Sequence, residues 1–159
     1  MTPFVYAAKP YRPGTGSASK ADELADLMRV FIESHPTYAA ADVLVAVPPS
    51  NPNKPFDLPA HLVQRLAGQL GKPNATAWVR KVRPTRPMKD CETPQEKLDN
   101  VRGAFAVTPA ADFAGKSVLL IDDIYQSGFT INEVGHVIGE AGASRVLGLA
   151  ATKTFAETA

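Results

Sequence analysis

Two adjacent carboxylates, Asp122 and Asp123, stand at the end of the most apolar run in the chain, Ser117-Val118-Leu119-Leu120-Ile121. The residues after them, Ile124 to Phe129, include Gly128 and read as a turn leading into a helix from Thr130. A helix start offers unpaired backbone N–H groups and a partial positive charge, which together favour a phosphate. Gly128 lets the backbone approach an anion closely, and the hydroxyls of Ser127 and Thr130 add donors. Carboxylates beside a phosphate cradle would repel an all-phosphate ligand. They suit a sugar phosphate, because acids accept from vicinal hydroxyls while the loop takes the phosphate. The pattern points to a ribose 5-phosphate site.

Such a site needs a strand ending at the carboxylates and a helix starting just beyond. The stripe Ile131, Val134, Ile138 and Ala141 predicts that helix, which Gly142 ends, and Arg145 to Ala151 returns as a strand. Strand, helix and strand in this order make a βαβ unit with a right-handed crossover. Upstream, Leu24, Leu27, Met28, Phe31 and Ile32 form a stripe that predicts a helix over 20–34, with Ser19 as N-cap and Asp22 three residues on. Asp42 to Val47 is a short branched run that suits a buried parallel strand. The proline-rich segment from Pro48 to Pro55 must be a loop. A helix from about Pro59 carries Leu62, Val63, Leu66 and Leu70, and Gly71-Lys72-Pro73 ends it. Residues 4–8, 75–82 and 103–107 read as further strands, 83–93 as a long basic loop, and 94–100 as a short helix. The fold class is α/β, a central parallel β-sheet flanked by helices, in a single domain over 1–159.

Composition narrows the function. A formal net charge of +1 gives no global argument for nucleic acid or an anionic membrane. No run approaches the ~18 apolar residues of a membrane span, and no secretory signal is legible after Met1, so a cytoplasmic location is expected. The single cysteine, Cys91, excludes an internal disulfide or a multi-Cys zinc site, and reads as a bystander. His35, His61 and His136 lack metal-ligand spacing. Arg80, Lys81, Arg83, Arg86 and Lys89 concentrate positive charge. They read as a solvated hairpin, a lid facing an anion, or a nucleic-acid contact without the aromatics of a single-strand platform.

The run Val118 to Thr130 resembles the phosphoribosyl pyrophosphate (PRPP) motif of type I phosphoribosyltransferases: an apolar strand, two acids, a short Thr-Gly loop and a closing Thr. Ser127 stands where the motif has its first Thr. Val82-Arg83-Pro84-Thr85 and Asn100-Val101-Arg102-Gly103-Ala104-Phe105-Ala106-Val107 are similar to the ComF-like branch of that superfamily. Lys54-Pro55-Phe56-Asp57-Leu58 is similar to its Arg-Gly-Phe-Asn-Gln. The branch's N-terminal Cys-rich zinc segment has no counterpart, and its loop Thr is Gln126. Hypoxanthine-guanine enzymes carry an Asp at this last position, and Gln cannot act as a base, which disfavours a 6-oxopurine acceptor.

The resemblance implies PRPP as ligand, and transfer of phosphoribosyl to a nitrogenous base or amine with release of pyrophosphate. The alternative is a non-catalytic ComF-like protein that binds PRPP or a nucleotide and assists DNA uptake or processing. Mg²⁺ is the implied cofactor, reached through PRPP and, through water, Asp122 and Asp123. Those carboxylates would hold the ribose hydroxyls, and Tyr125, Gln126, Ser127, Gly128, Phe129 and Thr130 the 5-phosphate. Pro49, Ser50 and Lys54 would hold pyrophosphate, in a loop where the family often has a non-proline cis peptide, with Arg83 added from the flexible loop that closes over the site. Asp122, Asp123 and Lys89 are the implied catalytic residues. A small hood would come from the N-terminal segment, the loop 83–100 and the tail 152–159. Homodimerisation and, under the alternative, DNA or DNA-processing proteins complete the expected partners.

Overall fold

Alternation of apolar side chains on two paired strands builds the centre of the protein. The computed structural model describes residues 18–153; the predicted strand over 4–8 and the tail beyond 153 lie outside them. Strand β1 (Val43–Ala46) pairs in parallel with a later strand, β4 (Ser117–Tyr125), from Val43↔Val118 to Ala46↔Ile121. Leu44, Ala46, Leu119 and Ile121 face one way, into a core shared with helices α1 (Ala18–Ser34) and α3 (Leu58–Leu70). Val43, Val45, Val118 and Leu120 face the other way, onto Val134 and Ile138 of α5 (Phe129–Glu140). Strand β5 (Arg145–Lys153) pairs in parallel with the far side of β4, giving the order β1-β4-β5. This is the expected parallel sheet with helices on both faces. A two-stranded antiparallel ribbon stands apart from it, β2 (Val79–Lys81) against β3 (Phe105–Val107). The short helix α2 (Pro36–Ala39) follows α1, and α4 (Pro94–Val101) precedes β3.

Local chemistry sets the boundaries. Asp57 caps α3 by accepting from Ala60 N–H at 3.3 Å, and Gly71 closes it in the left-handed conformation with φ of 62°. Four expectations need correction. Ala18 is already helical, so Ser19 lies inside α1, and Asp22 pairs with His61 (2.8 Å) and Arg65 (3.2 Å) of α3. The stripe of α1 splits: Leu24, Met28 and Ile32 are buried with Ala21 and Ala25, whose small side chains permit close packing, while Leu27 and Phe31 are exposed. The predicted strand 75–82 is a 3₁₀ turn (Thr76–Trp78) followed by β2. There the Asn74 side chain accepts from Thr76 N–H, and the Thr76 hydroxyl accepts from Ala46 N–H, both at 3.0 Å. These side-chain bonds bend the chain out of the extended form. Finally, β4 runs on to Tyr125, so Asp122 and Asp123 lie within the strand, and α5 starts at Phe129.

The split stripe is directly testable. Ile32→Ala, at a fully buried position of the stripe, should lower stability by about 2–5 kcal/mol in urea unfolding. Leu27→Ala should change it by less than about 0.5 kcal/mol; comparable losses for both would place Leu27 in the core after all.

Candidate functional site

The register of β1 on β4 decides what meets above the sheet. Val47 N–H donates to Ile121 O at 2.9 Å, which brings Asp122 level with the start of the proline-rich loop. Chain continuing from β1 leads away on the far side, where Leu44 bridges to Asn74, while β4 leads through α5 to β5. Loops that diverge in this way leave a crevice between the carboxyl ends of their strands. A cleft of about 340 Å³ occupies it.

One wall of the cleft is the turn from Tyr125 to Thr130. Gly128 caps α5 with φ of 78°, a conformation that costs a side chain dearly, and a Cβ there would overlap the Tyr125 ring and hydroxyl. Tyr125 therefore lies against the turn itself, with its ring 5.7 Å from the Lys153 ammonium. The backbone N–H groups of the first turn of α5 open towards this wall. Asp122 and Asp123 line the floor, and the Asp122 carboxylate accepts from Asp123 N–H at 2.8 Å.

The opposite wall is Pro48, Pro49, Ser50 and Lys54, with Asp57 at the start of α3. Every described peptide bond in this loop is trans. Lys81, at the end of β2, crosses behind it. Its ammonium donates to Ser50 O (2.8 Å) and to the Thr85 hydroxyl (2.6 Å), leaving a third donor for the cleft. Burial, and secondarily the Arg83 charge, hold the Lys81 pKa below the usual lysine value. Residues Arg86 to Lys89 roof the cleft beside Phe129.

Twelve of the thirteen predicted site residues thus share one cleft: Asp122, Asp123, all six from Tyr125 to Thr130, Pro49, Ser50, Lys54 and Lys89. Arg83 does not join them. Its guanidinium donates to the carbonyls of Pro84, Asp99 and Arg102, at the C-terminal end of α4, and is turned to that helix. Sequence reasoning passed over Lys81, which counted only as one charge in a basic cluster, and Asp57. The signal for Lys81 was its place as the last residue of a strand entering a proline-broken loop. Among the described residues no three His, Cys, Asp or Glu side chains gather as for a metal. No described helix is long and apolar enough to cross a membrane.

Comparison with known proteins bears on the fold. No curated protein matches the sequence. The glutamine PRPP amidotransferase of B. subtilis, solved with ADP and GMP, superposes with a TM-score of 0.60 at 20% identity, over 93% of this chain and 30% of that one. An adenine phosphoribosyltransferase gives 0.58 at 18% identity, over 87% and 72%. The PRPP synthetase of Mycobacterium smegmatis gives 0.51 at 23% identity, over 81% and 33%. The chain spans about a third of the amidotransferase and of the synthetase, and at these identities the likeness is one of fold. The phosphoribosyl transferase domain model matches residues 60–152, more than half of the sequence and the β4–α5–β5 unit up to Thr152, and the chain belongs to that family.

Proposed function

We propose that the cleft binds PRPP and that the protein transfers its phosphoribosyl group to a nitrogen nucleophile. The observation that carries this is the meeting, over one sheet edge, of a carboxylate pair, a helix-start turn and a lysine-bridged loop. PRPP has three parts that fit three places. Its 5-phosphate suits the N–H groups and hydroxyls of the 126–130 turn, its ribose hydroxyls suit Asp122 and Asp123, and its pyrophosphate suits the side held by Ser50, Lys54, Lys81 and Lys89. Four cations, Lys54, Lys81, Arg86 and Lys89, line the cleft against three carboxylates, Asp57, Asp122 and Asp123.

In the reaction a C–N bond forms at C1 of the ribose as the C1–O bond breaks, and pyrophosphate leaves with the electron pair. Positive charge grows on the ring and negative charge on the leaving group. In this reading Asp122 and Asp123 lie on the ring side and the lysines on the leaving-group side, so these fixed charges face developing charges of opposite sign. The roof from Arg86 to Lys89 limits water, which would otherwise compete as nucleophile. Asp122 and Asp123 would hold Mg²⁺ through its waters, and the ion would supply charge neutralisation for the leaving pyrophosphate. Gln126 lies exposed at the rim of the turn and supplies no base, so the nucleophile's proton must leave by another route, such as solvent.

The lack of a base at Gln126 supports a second reading, a non-catalytic protein that binds PRPP or a nucleotide without turnover. A panel of nucleobases and amines separates the two: pyrophosphate release with any member supports transfer, and saturable PRPP binding without release across the panel supports the binding protein.

Calorimetry should show PRPP binding in the presence of Mg²⁺. The double change Asp122→Asn and Asp123→Asn should weaken it tenfold or more, about 1.4 kcal/mol; no heat with the unaltered protein would reject the site. Lys81 adds a pH signature. Burial and then the Arg83 charge lower its pKa, whereas a bound polyanion favours the ammonium and raises it. PRPP binding at alkaline pH should therefore take up protons, seen as a dependence of binding heat on buffer ionisation enthalpy. Lys81→Met should remove most of that dependence. Net proton release would contradict this placement of Lys81.

A further inference from the structure

Asn100, only 9% exposed, sits near the end of α4 and lines the edge of the cleft without belonging to the machinery above. Its Oδ1 accepts from Arg86 N–H at 2.8 Å, and its Nδ2 donates to Arg86 O at 2.9 Å. One side-chain amide thus satisfies both backbone groups of a single residue, the service that a neighbouring strand would give. No strand does so here, because β2 stops at Lys81 and β3 starts at Phe105. Arg83 fastens the same stem from the other direction, on the carbonyls of Asp99 and Arg102 left open where α4 ends. The far end of the loop is fixed by the start of α4. Thr93 accepts from Glu96 N–H at 3.1 Å, and Glu96 accepts from Glu92 N–H at 2.8 Å. Between the two fastenings lies a single 3₁₀ turn, Met88–Asp90, which presents Met88 and Lys89 to the cleft.

We propose that Asn100 is a positioning residue: by clamping Arg86 it sets the height of the roof and holds Lys89 at the pyrophosphate side of the cleft. The proposal rests on the PRPP reading. Asparagine is chemically specific in this place. Aspartate keeps the acceptor for Arg86 N–H and loses the donor to Arg86 O, and alanine loses both.

Amide hydrogen exchange over residues 83–90, measured without ligand, tests the clamp. Asn100→Ala should make the Arg86 amide exchange fast, Asn100→Asp should keep it slow, and thermal melting identifies a variant that has simply failed to fold. Calorimetry with Mg²⁺ and two ligands, ribose 5-phosphate and PRPP, tests the positioning. Asn100→Ala should weaken PRPP about tenfold and leave ribose 5-phosphate unchanged, a split that general loosening of the fold would not produce. Lys89→Ala should give the same split, and the double variant should lose little more than either single one. Unchanged exchange in Asn100→Ala, unchanged PRPP affinity, or equal weakening of both ligands would overturn the proposal. Failure of PRPP to bind even the unaltered protein would overturn the PRPP reading and the positioning role with it. That result is told apart from a failed clamp because the exchange experiment needs no ligand.

Discussion

The parallel pairing of β4 with β1 is the constraint on which everything else depends. Parallel strands deliver their following loops to the same edge of a sheet; an antiparallel pair would send them to opposite ends. β1 stops at Ala46, opposite Ile121, while β4 goes on to Tyr125. The overshoot places Asp122 and Asp123 beside the loop that leaves β1, and sends the next turn into α5 on the same side. Apolar side chains on both faces of both strands hold this register, since a slip of one residue would turn each of them to the wrong face.

Electrostatics then divides the edge. Two unit charges 4 Å apart interact by about 1 kcal/mol in bulk water, and by about 4 kcal/mol at the effective dielectric typical near a protein surface. Lys81 is half-buried and tied at two of its three donors, so it stands closer to the second case. Lys54 and Lys89 are exposed and stand closer to the first. Lys81 is accordingly the cation with most leverage over an anion in the cleft, and its depressed pKa is the cost of the same desolvation.

Most of the centre was legible in the sequence because it rests on local pattern. The run from Val118 to Ile121, the glycine at 128 and the stripe of α5 specify a strand, a turn and a helix from neighbouring residues alone. The places of the two carboxylates and of the turn before α5 came with them, since local backbone geometry sets both. Errors arose where a non-local contact overrides pattern. Leu27 and Phe31 fit a helical stripe as well as Leu24 and Met28 do, and only packing against α3 and the sheet chooses between them. Thr76 has a strand-forming side chain, yet its hydroxyl is drawn to Ala46 N–H thirty positions earlier in the chain.

Arg83 and Lys81 show the same limit at the site. Both lie in one basic cluster, two residues apart, and charge alone suggests the same task for each. Strand alternation at the end of β2 turns Lys81 towards Ser50, whereas Arg83, past the strand, finds the open carbonyls of α4. A guanidinium with several donors in a fixed fork suits a set of carbonyls, and a compact ammonium suits a bridge between one carbonyl, one hydroxyl and a ligand. The cluster is therefore two devices in one stretch of chain. One charge lines the cleft and the other fastens the neighbouring loop to α4, and the difference between them is set by which partners the fold brings within reach.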